Sequence, residues 1–548
     1  MSSSSAAALI AVALQAIAVA GCARDPTPFI RATPNPVPPG GDLGRTVIAW
    51  STANGHGGRV TVRDRTGETL FALSPSGTQP APWIAAGVEY EFRLYDDDAQ
   101  TLLATVRVAR WNEGRWIALV WALPLFTIIA CIAAGYAIWR RRAAAAAWSA
   151  RDPAIRTALA TALVWTAGLF YASVLSASFP NQIRINAWFE SDQPSILYRM
   201  VVPGARSPRP VHPLFRMLTS TLVNAAAGLG ADRDLAARSI IRLAGACTAA
   251  LLFTALRRVG ARIFDAFLVT IAFLNSAAFV HWFGLTETTP LAACSVALLL
   301  AVAAKETGAG NVAWVIASAL TLGLTVTNWT IALAAGYFRM PLRRFVHTAA
   351  TAAGLVCVLV LAEKAVYPLR TPLFFSPWTI AREWIWTQPY QQALGNGSWS
   401  PLANLRSLWL YTGVAPTPVV EGTVVTNQMI GLSGFGAVGL VAVGAWLCLI
   451  GLAAIAATRQ DGARREIVYA CAAFLIAQSL LHSIYGTITF LYSAHVAPVL
   501  FLLIGMAFRE SDPRLARAVC LVFILAGGFW NLEVFRRAIE LVTMVTLH

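Results

Sequence analysis

Two carboxylates, Glu190 and Asp192, stand two residues apart in the polar stretch FPNQIRINAWFESDQPSILYRM, residues 179–200. A carboxylate in a partly desolvated loop can serve as a general base toward a hydroxyl. The stretch runs on to His212-Pro213-Leu214. Further ionisable groups recur at the ends of apolar runs: Arg184 in the same loop, Glu287 in GLTETTP, Lys364 and Arg370 around a helix end, and His495 close to Tyr492. Each has a plainer reading beside the chemical one. The carboxylates can be solvated loop charges, and His495 can be a satisfied structural histidine. Glu287 suits the start of a helix before Pro290. Glu363-Lys364 can be a local pair, and His281-Trp282 reads as interfacial packing.

The elements that must position these groups are membrane helices. Of 548 residues, 57% are hydrophobic and 13% charged. Apolar runs of membrane-spanning length recur throughout. The net charge of +15 lies in short Arg clusters between those runs, the pattern of cytoplasmic loops. No basic stripe with interleaved aromatics argues for nucleic acid. Seven of the eight cysteines lie in or beside apolar runs and read as small buried hydrophobes, and no CxxC or HExxH is present. The eighth, Cys22, follows a short apolar core at 6–21. The run Val19-Ala20-Gly21-Cys22 resembles a bacterial lipobox, in which Cys22 would be lipidated; an uncleaved N-terminal anchor is the equal alternative. Either places the next segment outside the cytoplasm.

Residues 27–110 differ in kind. Short runs at 46–50, 59–62, 90–95 and 102–108 alternate with period two between turn residues, which predicts a small antiparallel β-sandwich. The stretch resembles the immunoglobulin-like or fibronectin-type modules of bacterial surface proteins, which implies an exported domain. Asp96-Asp97-Asp98 could hold a cation, although a solvated hairpin turn is the commoner cause. Residues 111–150 supply a connecting span, 116–139, and the cluster Arg140-Arg141-Arg142, which fixes that end inside.

Residues 151–548 are expected to form the main bundle. Spans are expected at 158–177, 239–256, 264–282, 286–304, 312–327 paired with 329–338, 348–366, 432–457, 467–485, 489–508 and 518–534. The fold class is therefore mainly α: a polytopic transmembrane bundle of about 11–12 spans, with the β-sandwich at its N-terminus. Residues 183–200 carry apolar side chains at helical spacing and predict an interfacial helix. Residues 213–230 are taken as re-entrant or interfacial, because that choice puts five basic clusters inside; Arg536-Arg537 then fall outside and must snorkel. Loops 179–211 and 367–430 come to lie on the outer face. The tryptophans of the second, Trp378, Trp384, Trp386, Trp399 and Trp409, suit an interfacial belt or sugar stacking.

In order and sidedness these residues resemble the type C membrane glycosyltransferases, multi-pass enzymes that take a sugar from a polyprenyl-phosphate carrier. The resemblance covers about residues 155–510. It is carried by Glu190-Ser191-Asp192 after the first core helix, His212-Pro213-Leu214-Phe215 closing the loop, a Gly-Leu-Gly turn followed by Ala237-Arg238 and a helix ending Arg257-Arg258-Val259-Gly260, Glu287 near the next outer turn, and Tyr492, His495 and Pro498 opening a late helix. Glu-Ser-Asp stands where the family more often has Asp-Glu or Asp-x-Asp, and His495 stands where Arg is common. The resemblance implies transfer of a sugar from a lipid phosphate to a glycan, lipid or protein acceptor at the outer face of a bacterial inner membrane. Asp192 or Glu190 would be the base. His212, Glu287 and Tyr492 would contact substrate, and His495, Lys364, Arg370 or Arg184 would meet the departing phosphate. A divalent cation bridging carboxylate and phosphate fits this chemistry without being required. The rival is a non-enzymatic membrane protein: a structural subunit with a degenerate version of the fold, or a transporter or flippase. The lack of a clear internal repeat and the placement of charges at helix ends speak against a transporter.

Overall fold

The computed structural model describes residues 28–110 with short breaks, 153–179, 186–202, 211–305, 310–366, 383–394, 400–510 and 513–547. The expected export segment with Cys22, the span 116–139 with its Arg cluster, Arg184, Arg370, Trp378 and Trp399 lie outside the described residues.

Seven strands form the N-terminal region: β1 (Phe29–Thr33), β2 (Gly44–Ser51), β3 (Gly58–Asp64), β4 (Gly67–Leu73), β5 (Ser76–Ile84), β6 (Glu89–Asp96) and β7 (Leu102–Ala109). They make one sheet ordered β1-β2-β5 and another ordered β4-β3-β6-β7, with antiparallel pairing throughout. Alternation explains it: β2 buries every second residue, so that Ile48 and Trp50 face inward. Val60, Phe92 and Leu94 from the other sheet close the same core. The four runs expected as strands are β2, β3, β6 and β7.

The rest is mainly helical. In chain order the helices are α1 (Pro153–Ser178), α2 (Gln193–Val201), α3 (Phe215–Gly228), α4 (Arg233–Arg258), α5 (Ile263–Leu274), α6 (Ala277–Trp282), α7 (Thr289–Ala303), α8 (Asn311–Leu324), α9 (Trp329–Arg339), α10 (Leu342–Val366), α11 (Gln388–Ala393), α12 (Pro401–Gly413), α13 (Ala437–Thr458), α14 (Gly462–His482), α15 (Ser493–Glu510), α16 (Pro513–Val522) and α17 (Gly528–Leu547). A short hairpin, β8 (Val419–Glu421) and β9 (Val424–Thr426), follows α12. Among the described residues, six helical runs are long and apolar enough to cross a membrane: Arg156–Ser178, Arg233–Arg258, Leu342–Lys364, Ala437–Thr458, Thr489–Arg509 and Pro513–Val545. At 14 residues, α3 is about 21 Å long, short of the ~30 Å hydrocarbon thickness.

Several expected elements change form. The interfacial helix over 183–200 is replaced by a turn and then α2, which begins at Gln193. Trp188 and Phe189 are 0% exposed; they pack into protein, not onto a lipid surface. The expected span 264–282 breaks at Asn275-Ser276. Ser276 caps α6 by accepting from the Phe279 amide at 3.3 Å. The Asn275 carbonyl freed by the break accepts from Asn531 Nδ2 at 2.9 Å, and Tyr171 donates to Asn275 Oδ1 at 3.1 Å. The paired segments 312–327 and 329–338 become α8 and α9, joined by a 3-10 turn after the extended Thr325. Within the expected loop 367–430, residues 401–413 form α12, which buries Asn404, Ser407 and Tyr411. Arg536 and Arg537 lie inside α17, paired with Glu533 at 2.8 and 2.9 Å.

Gly284 fixes where α1 ends and the acidic loop begins. A Cβ there would meet the Leu175 carbonyl carbon and the Ser176 nitrogen at 2.8 Å, and backbone cannot rotate away. Gly284→Ala is therefore expected to destabilise the protein by about 1–3 kcal/mol, read as a lower melting midpoint in detergent. Gly354→Ala, inside α10 with open space around the added carbon, should keep or raise the midpoint, because alanine favours a helix interior over glycine. Equal midpoints for the two variants would show that α1 is not held this closely.

Candidate functional site

The acidic loop is pinned from below. The Val425 amide donates to the Ala187 carbonyl at 2.8 Å, and the Phe189 amide donates to the Val425 carbonyl at 3.0 Å. Trp188 lies 4.5 Å from Phe179 and 5.5 Å from Phe535, centroid to centroid, and Phe189 lies 5.3 Å from Phe490. His281 belongs to the same buried layer, 5.9 Å from Phe189, so it is core packing rather than interfacial. Two neighbouring aromatic residues thus both point inward, and the chain turns sharply to allow it. Phe189 has φ 47° and Glu190 φ 53°, left-handed values that L side chains rarely adopt. The Ser191 amide closes the turn on the Trp188 carbonyl at 2.8 Å. Asp192 precedes α2 without capping it by its side chain.

Above this floor lies a pocket of about 750 Å³. Its walls come from four parts of the chain: the acidic loop, the 383–404 segment, the β8–β9 hairpin and the turn before α15. Gly422, at φ +61°, supplies the left-handed residue that the tight hairpin turn requires. Gly486, at φ +87°, does the same for the other turn, and a Cβ on it would meet the Tyr492 ring at 2.7 Å. Gln388 holds that turn in place by donating from Nε2 to the Gly486 carbonyl at 2.5 Å and the Thr487 carbonyl at 3.2 Å. Gln428 and Asn404 extend the same buried amide network, with Gln428 Nε2 donating to Asn404 Oδ1 at 2.6 Å.

Four carboxylates line the pocket: Glu190, Asp192, Glu383 and Glu421. Thr487 donates its hydroxyl to Glu190. Tyr485 donates to Glu383 at 2.6 Å, and Asn186 Nδ2 donates to Asp192 at 3.4 Å. Trp386, 50% exposed, and Tyr492 add aromatic faces.

No family model, curated protein or solved structure matches the chain. What the site can do is therefore read from its own groups. Among the described residues, no group of three or more His, Cys, Asp and Glu is placed to hold a metal ion. The pocket combines hydrogen-bonding amides, carboxylates and an exposed indole, a set suited to a polyhydroxylated ligand.

Of the residues singled out in the sequence, Glu190, Asp192 and Tyr492 meet in this pocket, whereas His212, Glu287, Lys364 and His495 do not line it. His212 is structural in character. Its Nδ1 lies 2.7 Å from the Leu324 carbonyl, which can only accept, so Nδ1 carries the proton; Thr288 Oγ1 lies 3.5 Å from Nε2. Glu287, 3% exposed just before α7, accepts from the Thr288 amide at 2.7 Å and from its hydroxyl at 3.0 Å. His495 is buried behind Tyr492, with ring centroids 6.0 Å apart. Lys364 sits at the end of α10. Sequence reasoning missed Glu383, Glu421, Gln388 and Thr487. The one signal for this region was the tryptophan-rich 367–430 stretch, through Trp386. Trp409 instead donates to Ser479 Oγ at 2.9 Å, and Trp384 is exposed.

The left-handed backbone at Glu190 gives a test. Glu190→Asn and Glu190→Val both remove the carboxylate, but asparagine tolerates the conformation and β-branched valine does not. The valine variant is expected to be less stable than the asparagine variant by about 1 kcal/mol, measured as a difference in melting midpoint. Equal midpoints would mean that the backbone relaxes at no cost.

Proposed function

We propose that the chain is an integral membrane glycosyltransferase of the polyprenyl-phosphate-sugar type and that the acidic pocket is its transfer site. The observation that carries the reading is the convergence of Glu190, Asp192 and Tyr492, separated by about 300 residues, on one pocket with buried amides and an exposed tryptophan. On this reading the chain makes about 11–12 passes of a bacterial inner membrane. The pocket and the β region, an immunoglobulin- or fibronectin-like module, lie on the outer face, behind an export signal or lipidated Cys22.

The chemistry is an inverting displacement. Asp192 or Glu190 takes the proton of the acceptor hydroxyl as its oxygen bonds to the anomeric carbon. The bond from that carbon to the phosphate oxygen breaks, and polyprenyl phosphate leaves with the electron pair. A cation stabilises the departing phosphate. Of the cations that the resemblance implies for that role, His495 and Lys364 do not line the pocket, and Arg184 and Arg370 lie outside the described residues; a divalent cation is a further means. The same observation favours the second reading, a non-enzymatic subunit that keeps the helices and a sugar-binding pocket without transfer.

Glycan profiling of cells that carry Asp192→Asn or Glu190→Gln, at normal abundance and membrane insertion, separates these. Loss of a specific glycan in either variant, by about a hundredfold or more, is expected. A glycan lost on deletion but unchanged in both variants would move the base elsewhere, with Glu383 next. No change even on deletion would overturn transfer and leave the subunit reading.

A further inference from the structure

Resting on the reading of the pocket as a sugar site, the charge on its walls says which sugar. Glu190, Glu383 and Glu421 line one cavity, and among the described residues none of them is in an ion pair. The donors that reach Glu190 and Glu383 are the hydroxyls of Thr487 and Tyr485, which are neutral and leave the charges standing. Negative charges gathered in a concave site make the local potential more negative and concentrate cations there. A second observation points the same way. Gln388 is 7% exposed at the pocket wall, and its Oε1 accepts no hydrogen bond while Nε2 is committed to the Gly486 turn. A buried acceptor left without a donor costs about 1–3 kcal/mol, and a small turn of this wall side chain toward the cavity would let a ligand N–H or O–H remove that cost. Among the described residues the carboxylates form no cluster of three or more with metal-ligand placing, and spread along the walls they suit a positive charge carried on an extended ligand. A volume of about 750 Å³ lies within the range that holds a small organic molecule. The exposed face of Trp386 suits both a sugar ring and an adjacent ammonium.

We propose that the acceptor taken by this pocket is a saccharide bearing a free, positively charged amino group, read by Glu383 and Glu421.

The test is equilibrium binding to the full chain in lipid nanodiscs, by calorimetry, with two probes: a chitosan trimer, with free amines, and its fully N-acetylated counterpart. The free-amine trimer is expected to bind about tenfold tighter, with the advantage shrinking as salt rises. Glu383→Gln and Glu421→Gln should each weaken the free-amine trimer several-fold and leave the acetylated one unchanged. Asp461→Asn, at the exposed start of α14, should change neither. If Glu383→Gln fails to fold, Glu421→Gln, in an exposed hairpin turn, carries the test. Equal or tighter binding of the acetylated trimer, or binding of neither, overturns the proposal. Binding of spermine with the same dependence on Glu383 and Glu421, in place of the trimer, overturns its saccharide half. The measurement needs no turnover, so a chain that binds the amine but transfers nothing loses the transfer reading and keeps this one.

Discussion

The site depends on the burial of Trp188 and Phe189 side by side. Neighbouring residues on a strand point to opposite faces, and on a helix they diverge. For both to go inward, the chain must leave regular structure, and Phe189 and Glu190 do so with positive φ. Burying each large aromatic side chain is worth about 2–3 kcal/mol. A left-handed residue costs about 1–2 kcal/mol. Burial wins, and its by-product is that Glu190 faces away from the aromatic layer into the pocket. The layer draws on Phe179, His281, Phe490 and Phe535, so distant segments all fix the height of one carboxylate.

A second constraint comes from backbone polar groups where water is scarce. A helix that breaks among buried helices must find partners for the carbonyls it frees. The Asn275 break uses Asn531, and the turn between α8 and α9 uses His212 on Leu324 and Gln478 Nε2 on the Thr327 carbonyl at 3.2 Å. This is why polar residues in apolar runs resemble catalytic groups when read as sequence. His212 has the side chain of a site and serves as a connection between elements.

The legible part of the chain follows from period and length. Alternation reveals β2, β3, β6 and β7 because each has one buried face. Sustained apolar runs reveal the long helices because a membrane demands them. The interfacial helix fails because a lipid-facing stripe and a protein-facing cluster share one composition: Trp188 and Phe189 at helical spacing are equally apolar against either. Strand β4, largely exposed along its length, offers no alternation to read. Glu190 and Asp192 stood out as a local pair. Glu383 and Glu421 had no local pattern at all, since only the packing of α12, the hairpin and the Gly486 turn brings them to the same pocket.

The uneven charge of that pocket bears on how a transfer reaction could be divided within it. An inverting displacement has two halves with opposite needs: a base beside the acceptor hydroxyl and positive charge beside the leaving phosphate. Among the described residues, no Lys, Arg or His lines the pocket. Its carboxylates would repel a phosphate drawn fully inside, and at about 4 Å two like charges near a protein surface oppose each other by about 4 kcal/mol. On the transfer reading, the pocket is therefore the acceptor half, and the donor reaches it with its phosphate left outside the acidic walls. Both carboxylates of the acidic loop line the pocket, Glu190 exposed and Asp192 half-buried where α2 begins. On the same division Glu383, Glu421 and Trp386, which line the pocket with them, are the groups that would recognise an incoming amine rather than a departing lipid.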